Sequence, residues 1–148
     1  MRIAIGGDHA GIDLKHAVKE RLKEQGHEVL DKGTLVRDSV DYPDFAHAVA
    51  KAVQEGDVVL GIVICGSGNG VNISANKHPG IRSALAWNPE VAALARQHND
   101  ANVLALPARF VTNEEALLMV ESFLGASFEG GRHARRVEKI ERRPTDRS

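Results

Sequence analysis

The segment Cys65-Gly66-Ser67-Gly68-Asn69-Gly70 concentrates more chemical potential than any other part of the chain. Its glycines alternate where an apolar run, Val58–Ile64, gives way to a helical pattern starting near Val71. Alternating glycines let backbone N–H groups converge, and a helix N-terminus adds positive potential, so the segment reads as an anion cradle. A tight strand-to-helix turn with no ligand is the plainer reading of the same glycines. No Gly-Lys-Ser/Thr follows, which excludes a P-loop, and Val71 stands where a dinucleotide fingerprint needs glycine. ATP and NAD are therefore disfavoured. Cys65, the only cysteine, has two readings. One is a small buried hydrophobe at a strand end; the other is a thiolate favoured by the facing helix N-terminus, acting as base or nucleophile.

The histidines divide by position. His16, His27, His47 and His78 fall in helical or connecting stretches and read as solvated surface. No His-Glu-x-x-His and no Cys–His cluster at metal spacing occurs, so no metal site is expected. His9 follows a first strand in Gly7-Asp8-His9, and His98 sits in His98-Asn99-Asp100 after a helix bearing Arg96. Parallel α/β sheets form sites beyond the carboxyl ends of their strands, and both segments are expected there beside the glycine loop. For the His98 run, a polar helix cap is the bland alternative. His133 lies with Arg132, Arg135 and Arg136 in a basic run after Gly130-Gly131. That run reads either as a solvated face or as an anion-binding arm.

The elements that must position these residues alternate in type. Arg2–Ile5 reads as a strand closed by Gly6-Gly7; Leu14, Ala17, Val18 and Leu22 then share a helical face ended by Gly26. His27–Leu30, Val58–Ile64, Arg82–Ala86 and Asn102–Leu106 read as four further strands, the second of them buried on both faces. Pro43 opens a helix with Phe45, Val49 and Val53 inward, Asn88-Pro89-Glu90 opens another, and Thr112 with Glu115 makes a capping box. Five strands separated by helices imply a doubly wound α/β fold with a parallel sheet.

The 148 residues suit one domain, 1–148, with a full-sized core. Formal charge is −1, with 19 basic and 20 acidic side chains, which disfavours a general affinity for nucleic acid or anionic membrane. The balance hides a segregation, because residues 132–148 hold seven Lys or Arg against three acids. That stretch is too poor in apolar residues to be core. It reads as an arm, about residues 127–148, lying on a second subunit. The opening residues lack a signal peptide's apolar region, and no run approaches the roughly 20 apolar residues of a membrane helix. A soluble cytoplasmic domain with an unpaired thiol is expected.

Taken in order, Ile3-Ala4-Ile5-Gly6-Gly7-Asp8-His9-Ala10-Gly11, Asp41-Tyr42-Pro43, Cys65–Gly70, Ala75-Asn76-Lys77, Gly80-Ile81-Arg82, Arg96-Gln97-His98-Asn99 and Glu129-Gly130-Gly131-Arg132-His133 cover nearly the whole chain. Together they resemble the type B ribose-5-phosphate isomerases, in the family that also holds galactose-6-phosphate isomerase subunits. The resemblance implies a three-layer α/β/α, Rossmann-like subunit. It also implies a homodimer or dimer of dimers whose active sites are shared between chains, with no cofactor and no metal. It implies interconversion of ribose 5-phosphate and ribulose 5-phosphate through an enediolate. Cys65 would be the base, since the glutamate that another branch uses is here Val71. Ser67 would be its hydrogen-bond partner, the amides of Gly66, Ser67, Gly68, Asn69 and Gly70 the donors to the negative oxygen, and His98 the ring-opening group. Asp8, Tyr42 and Asn99 match positions that contact sugar hydroxyls. His9, Arg109, Arg132 and Arg136 match the phosphate-binding set, the arm residues reaching a neighbouring subunit.

Two rivals stand beside this reading. One is the same chemistry on a six-carbon substrate such as allose 6-phosphate or galactose 6-phosphate. The other is a non-catalytic module that binds a phosphorylated sugar. Nucleic-acid binding through Arg142, Arg143 and Arg147 is a third and poorer reading.

Overall fold

The apolar run in mid-chain forms the central strand, Leu60–Cys65 (β3), buried along its whole length. It pairs with Arg2–Gly7 (β1) on one side and Val103–Pro107 (β5) on the other. Glu28–Asp31 (β2) and Ser83–Leu85 (β4) form the edges of a five-stranded parallel sheet in the order β2-β1-β3-β5-β4. This computed structural model describes residues 1–141. Arg142, Arg143 and Arg147 lie outside the described residues.

Helices cover both faces, giving three layers. Ile12–Glu24 (α1), Pro89–Asn99 (α4) and Asn113–Gly125 (α5) set Leu14, Val18, Leu22, Ala92, Met119 and Phe123 against Ile3, Ile5, Ile62, Ile64, Leu104 and Leu106. Tyr42–Gln54 (α2) and Asn69–Ala75 (α3) cover the opposite face, where Val49, Ala50 and Val71 meet Ala4, Val63, Ala105 and Cys65. Each fully buried aliphatic side chain contributes about 1.5–3 kcal/mol of transfer free energy. The expected α/β class and strand count are both found.

The sequence signals at the helix ends operate as expected. Asn88 accepts from the N–H of Val91 and Thr112 from that of Glu115. Gly26, at φ +85°, ends α1, with the N–H of His27 donating to the Leu22 carbonyl and that of Gly26 to Lys23.

Strand boundaries shift by one or two residues, and the shift of β1 has a clear cause. Gly6 and Gly7 do not close β1 but belong to it. A Cβ on Gly6 would lie 2.9 Å from Val49 Cγ2, and one on Gly7 would run into the Ile64 carbonyl. The glycines let β1 continue under α2 and alongside β3, which carries Asp8 out to the sheet's carboxyl edge.

The final helix, Arg132–Ile140 (α6), has one buried residue, His133, and rests on α4. Its other residues are exposed or half-buried. The chain runs from β1 to β2 on one side, then returns to β3 on the other. Sites form in the crevice that such a reversal leaves at the carboxyl ends, here between β1 and β3. No helix among the described residues is long and apolar enough to cross a membrane.

Candidate active site

The crevice between β1 and β3 opens into a pocket of about 410 Å³ lined by Asp8, Tyr42, Cys65, Gly66, Ser67, Gly70, Arg109 and Phe110. Seven of these eight were expected from the sequence. They converge because β1 ends at Asp8, β3 ends at Cys65, β5 leads to Arg109, and α2 begins with Tyr42. The chain after β5 is bound to the glycine loop: the Ala108 N–H donates to the Cys65 carbonyl at 2.9 Å and that of Arg109 to Gly66 at 3.0 Å. The Arg109 side chain lies across Gly66, where a Cβ would meet Nη1 at 3.1 Å. The Tyr42 ring packs over Gly70 more closely still, and a Cβ there would lie 2.5 Å from its Cζ. Glycine is therefore required at position 70 so that the phenol can cross the loop.

Gly68 takes φ +77° at the start of α3, turning the backbone from strand to helix. Ser67 Oγ accepts from the Asn69 N–H at 3.2 Å, so that amide is used inside the turn. The amides of Gly66, Ser67, Gly68 and Gly70 find no acceptor among the described residues and remain to meet a ligand. Cys65 is 5% exposed, so its thiol sits at the floor of the pocket. Cys65 packs in the core between sheet and α3, and it also lines the pocket.

Asp8 Oδ1 accepts from the Ala10 N–H at 3.0 Å, which fixes its carboxylate at the pocket wall. His9 stands beside it, outside the pocket lining. Its Nδ1 accepts from the Val40 N–H at 3.2 Å, so in this geometry Nε2 carries the ring proton and points elsewhere as a donor. Behind these residues lies a buried ion cluster. Lys15 Nζ donates to Asp31 Oδ1 at 2.8 Å and to the Thr34 carbonyl at 2.5 Å, while Lys19 Nζ meets Asp31 Oδ2 at 2.8 Å. Burial pushes the Asp31 carboxyl up, but the two lysines and the Gly33 N–H outweigh it and hold it below its ordinary 3.8. The cluster fixes the turn whose Gly33 and Thr34 are hydrogen-bonded to Gly7, directly beneath Asp8.

The remaining expected residues are elsewhere. His98 and Asn99 end α4, which returns the chain to the amino end of β5, so they do not lie at the carboxyl edge where the sequence reading put them. The reason is the direction of the crossover: a segment immediately before a parallel strand lies at that strand's start. Arg96 is spent there on Asp100 and the Ala101 carbonyl. Asn99 borders a larger groove of about 700 Å³, shared with Asn76, Arg82, Ser83 and Ile140, away from Cys65. Size and chemistry point to different cavities here. The smaller one holds the thiol, the free amides and Arg109. Arg132 and Arg136 are exposed on α6.

Sequence reasoning missed three groupings. Phe110 lines the pocket although it is largely exposed. His47 Nδ1 and His78 Nε2 lie 2.7 Å apart, and burial together with the His47 charge pushes His78 below its ordinary 6.5. His98, Glu129 and His133 also come together, with donor atoms all within 4.8 Å of one another. This is the one set that could be considered for a metal among the described residues. The two imidazoles, however, are stacked 9° from parallel with centroids 4.2 Å apart. Their in-plane lone pairs run side by side and do not meet at a point about 2.0–2.1 Å from both nitrogens, as a zinc ion requires.

Comparison with known proteins places this geometry in context. Residues 3–140 match the protein family described as Ribose/Galactose Isomerase. Ribose-5-phosphate isomerase B of Escherichia coli K12 is 51% identical over 139 residues, covering 94% of this chain and 93% of that protein. The Mycobacterium tuberculosis H37Rv protein of the same name is 46% identical over 140 residues, covering 93% and 86%. Among solved structures, Clostridium thermocellum ribose-5-phosphate isomerase B aligns with a TM-score of 0.94 at 52% identity over 95% of both chains. Mycoplasma genitalium ribose-5-phosphate isomerase B, solved with bound ribulose-5-phosphate, gives a TM-score of 0.91 at 49% identity over 95% of this chain and 93% of that one.

Proposed function

Because the chain belongs to the ribose/galactose isomerase family, we propose that it interconverts ribose 5-phosphate and ribulose 5-phosphate through an enediolate with Cys65 as base. The observation that carries this reading is the convergence of Cys65, the free loop amides, Asp8, Tyr42 and Arg109 on one pocket. Isomerisation moves a proton between C2 and C1. A single base above the sugar plane removes it from one carbon and returns it to the other. Cys65, held at the pocket floor by β3, has the fixed position that such a shuttle needs. The enediolate oxygen then meets the free amides of Gly66, Ser67, Gly68 and Gly70, where losing one preorganised donor costs about 10²–10³ in rate. Ser67 supports that loop by binding its Asn69 amide.

Asp8 and Tyr42 border the pocket as acceptor and donor for sugar hydroxyls. Arg109 and His9 supply phosphate contacts from the same chain, the guanidinium by paired N–H donors and His9 through Nε2. His98, Asn99, Arg132 and Arg136 complete the site from a second chain: His98 in ring opening, Asn99 at the sugar, the arginines at the phosphate. The separation of His98 from Cys65 within one subunit supports this sharing, as does the thinly buried arm. A homodimer, alone or paired into a dimer of dimers, is the assembly that provides it. The cytoplasm is its compartment, where a lone catalytic thiol stays reduced.

Purified Cys65→Ala tests the reading. It is expected to lose ribose 5-phosphate turnover while still binding the substrate; turnover near the wild-type rate would remove Cys65 from the mechanism. Comparing kcat/KM for ribose, allose and galactose phosphates fixes the substrate's length.

A further inference from the structure

Glu129 and His133 are left without a task by the phosphate reading of the arm, and both meet His98. The His98 and His133 rings stack with centroids 4.2 Å apart. Glu129 Oε1 lies 3.6 Å from His98 Nε2 and 3.7 Å from His133 Nε2. The Glu129 N–H donates to the Gln97 carbonyl at 3.0 Å, tying the carboxylate's backbone to the last turn of α4. We propose that Glu129 and His133 are positioning residues for His98, holding its ring in one orientation for ring opening. The proposal rests on the assignment of His98 as the ring-opening group.

The two contacts constrain different motions. A parallel ring at 4.2 Å fixes the plane of the His98 imidazole. The carboxylate at its edge restrains rotation within that plane. One carboxylate cannot support two protonated rings this close together. Burial lowers His133 from its ordinary 6.5, and the charges of His98, Arg132 and Arg136 lower it further against the opposing pull of Glu129. His133 thus serves as the buried plate against which the His98 ring stacks. His133 is buried, whereas His98 and Glu129 keep enough exposure to reach a ligand on another chain.

The step balances as follows. The bond between C1 and the ring oxygen breaks, its electron pair going to the ring oxygen, which takes the proton from the His98 imidazolium. The anomeric hydroxyl gives its proton to a water as the C1 carbonyl forms, and solvent returns a proton to His98. Glu129 keeps the His98 ring aimed before transfer, without touching the sugar.

Ribulose 5-phosphate separates this step from the Cys65 step. Its 5-oxygen is esterified, so no hydroxyl can close a five-membered ring on its C2 carbonyl, and it enters the site already open. Solvent deuterium incorporation at its C1 therefore reads proton abstraction alone, whereas ribose 5-phosphate turnover also reads ring opening. Glu129→Gln is expected to lower ribose 5-phosphate kcat by about tenfold or more while leaving exchange within about twofold of wild type. Glu129→Asp recovers part of the loss. His133→Ala follows Glu129→Gln, and His133→Phe, which keeps the stack and fold, retains most turnover. Parallel loss of both reactions in Glu129→Gln, or unchanged ribose 5-phosphate turnover, overturns the proposal. His98→Asn is expected to lose at least as much ribose 5-phosphate turnover as Glu129→Gln, and wild-type turnover there overturns it as well. Exchange that survives in Cys65→Ala counts against the base assignment alone.

Discussion

Cys65 and His98 lie at opposite ends of the same parallel sheet. Cys65 ends β3 at its carboxyl edge, while His98 is in the last turn of α4, which delivers the chain to the amino end of β5. At about 3.3 Å per residue, the five residues of β5 alone separate those edges by about 13 Å. No side-chain rotation brings the two groups onto one sugar within a subunit. With His98 proposed as the ring-opening group, a second copy would complete the site, α4 and the arm of one chain facing the glycine loop of the other.

The Lys15–Asp31 pair fixes the ground beneath Asp8, with side-chain exposures of 5% and 14%. Asp31→Asn leaves Lys15 buried with a reduced set of acceptors and is expected to destabilise the fold by about 3 kcal/mol, near the low end for a broken buried pair. Because the folded Asp31 carboxyl is held below its ordinary 3.8, its contribution is fully present above that pH and is lost as pH falls through the lower folded value. Denaturant unfolding from pH 7 down to about pH 3 checks this. The gap between wild type and variant should narrow at the acid end.

Gly70 and Tyr42 are matched by contact. Gly70→Ala is expected to push the Tyr42 ring out of the pocket and lower kcat/KM by about 10–100-fold, as a displacement of about 1 Å does elsewhere. Steady-state kinetics with ribose 5-phosphate and a thermal melt together check it. The melt should move little, because Gly70 is only partly buried at the rim.

Much of this pocket was legible in the sequence, for a physical reason. Alternating glycines after a buried strand are a local signal, and the strand's β-branched run fixes where the loop emerges. Helix ends such as Asn88 and Thr112 are equally local. What could not be read from local pattern was the end of the sheet at which His98 lies, since that depends on the direction of a crossover. The Gly6-Gly7 pair misled for a similar reason. Glycine usually marks a stop, but here it answers to Val49 and Ile64, residues distant in sequence. The stacking of His98 on His133 joins α4 to α6 and leaves no periodic trace in the chain.

Phe110 supplies the pocket's apolar wall while being 75% exposed. Phe110→Ala should lengthen the pocket and shift the ratio of kcat/KM for allose 6-phosphate over ribose 5-phosphate upward by about tenfold, within the range one apolar contact provides. Parallel assays on the two substrates measure the ratio directly.

Mixing two inactive chains tests the shared site most directly. Cys65→Ala lacks the base and His98→Asn lacks the ring-opening group. Unfolded together and refolded as a mixture, they form mixed dimers in which one site has both native residues and the other has neither. Random pairing should restore about a quarter of wild-type ribose 5-phosphate turnover, while either variant refolded alone stays inactive. A mixture no more active than its separate components would contradict a site built from Cys65 of one chain and His98 of the other.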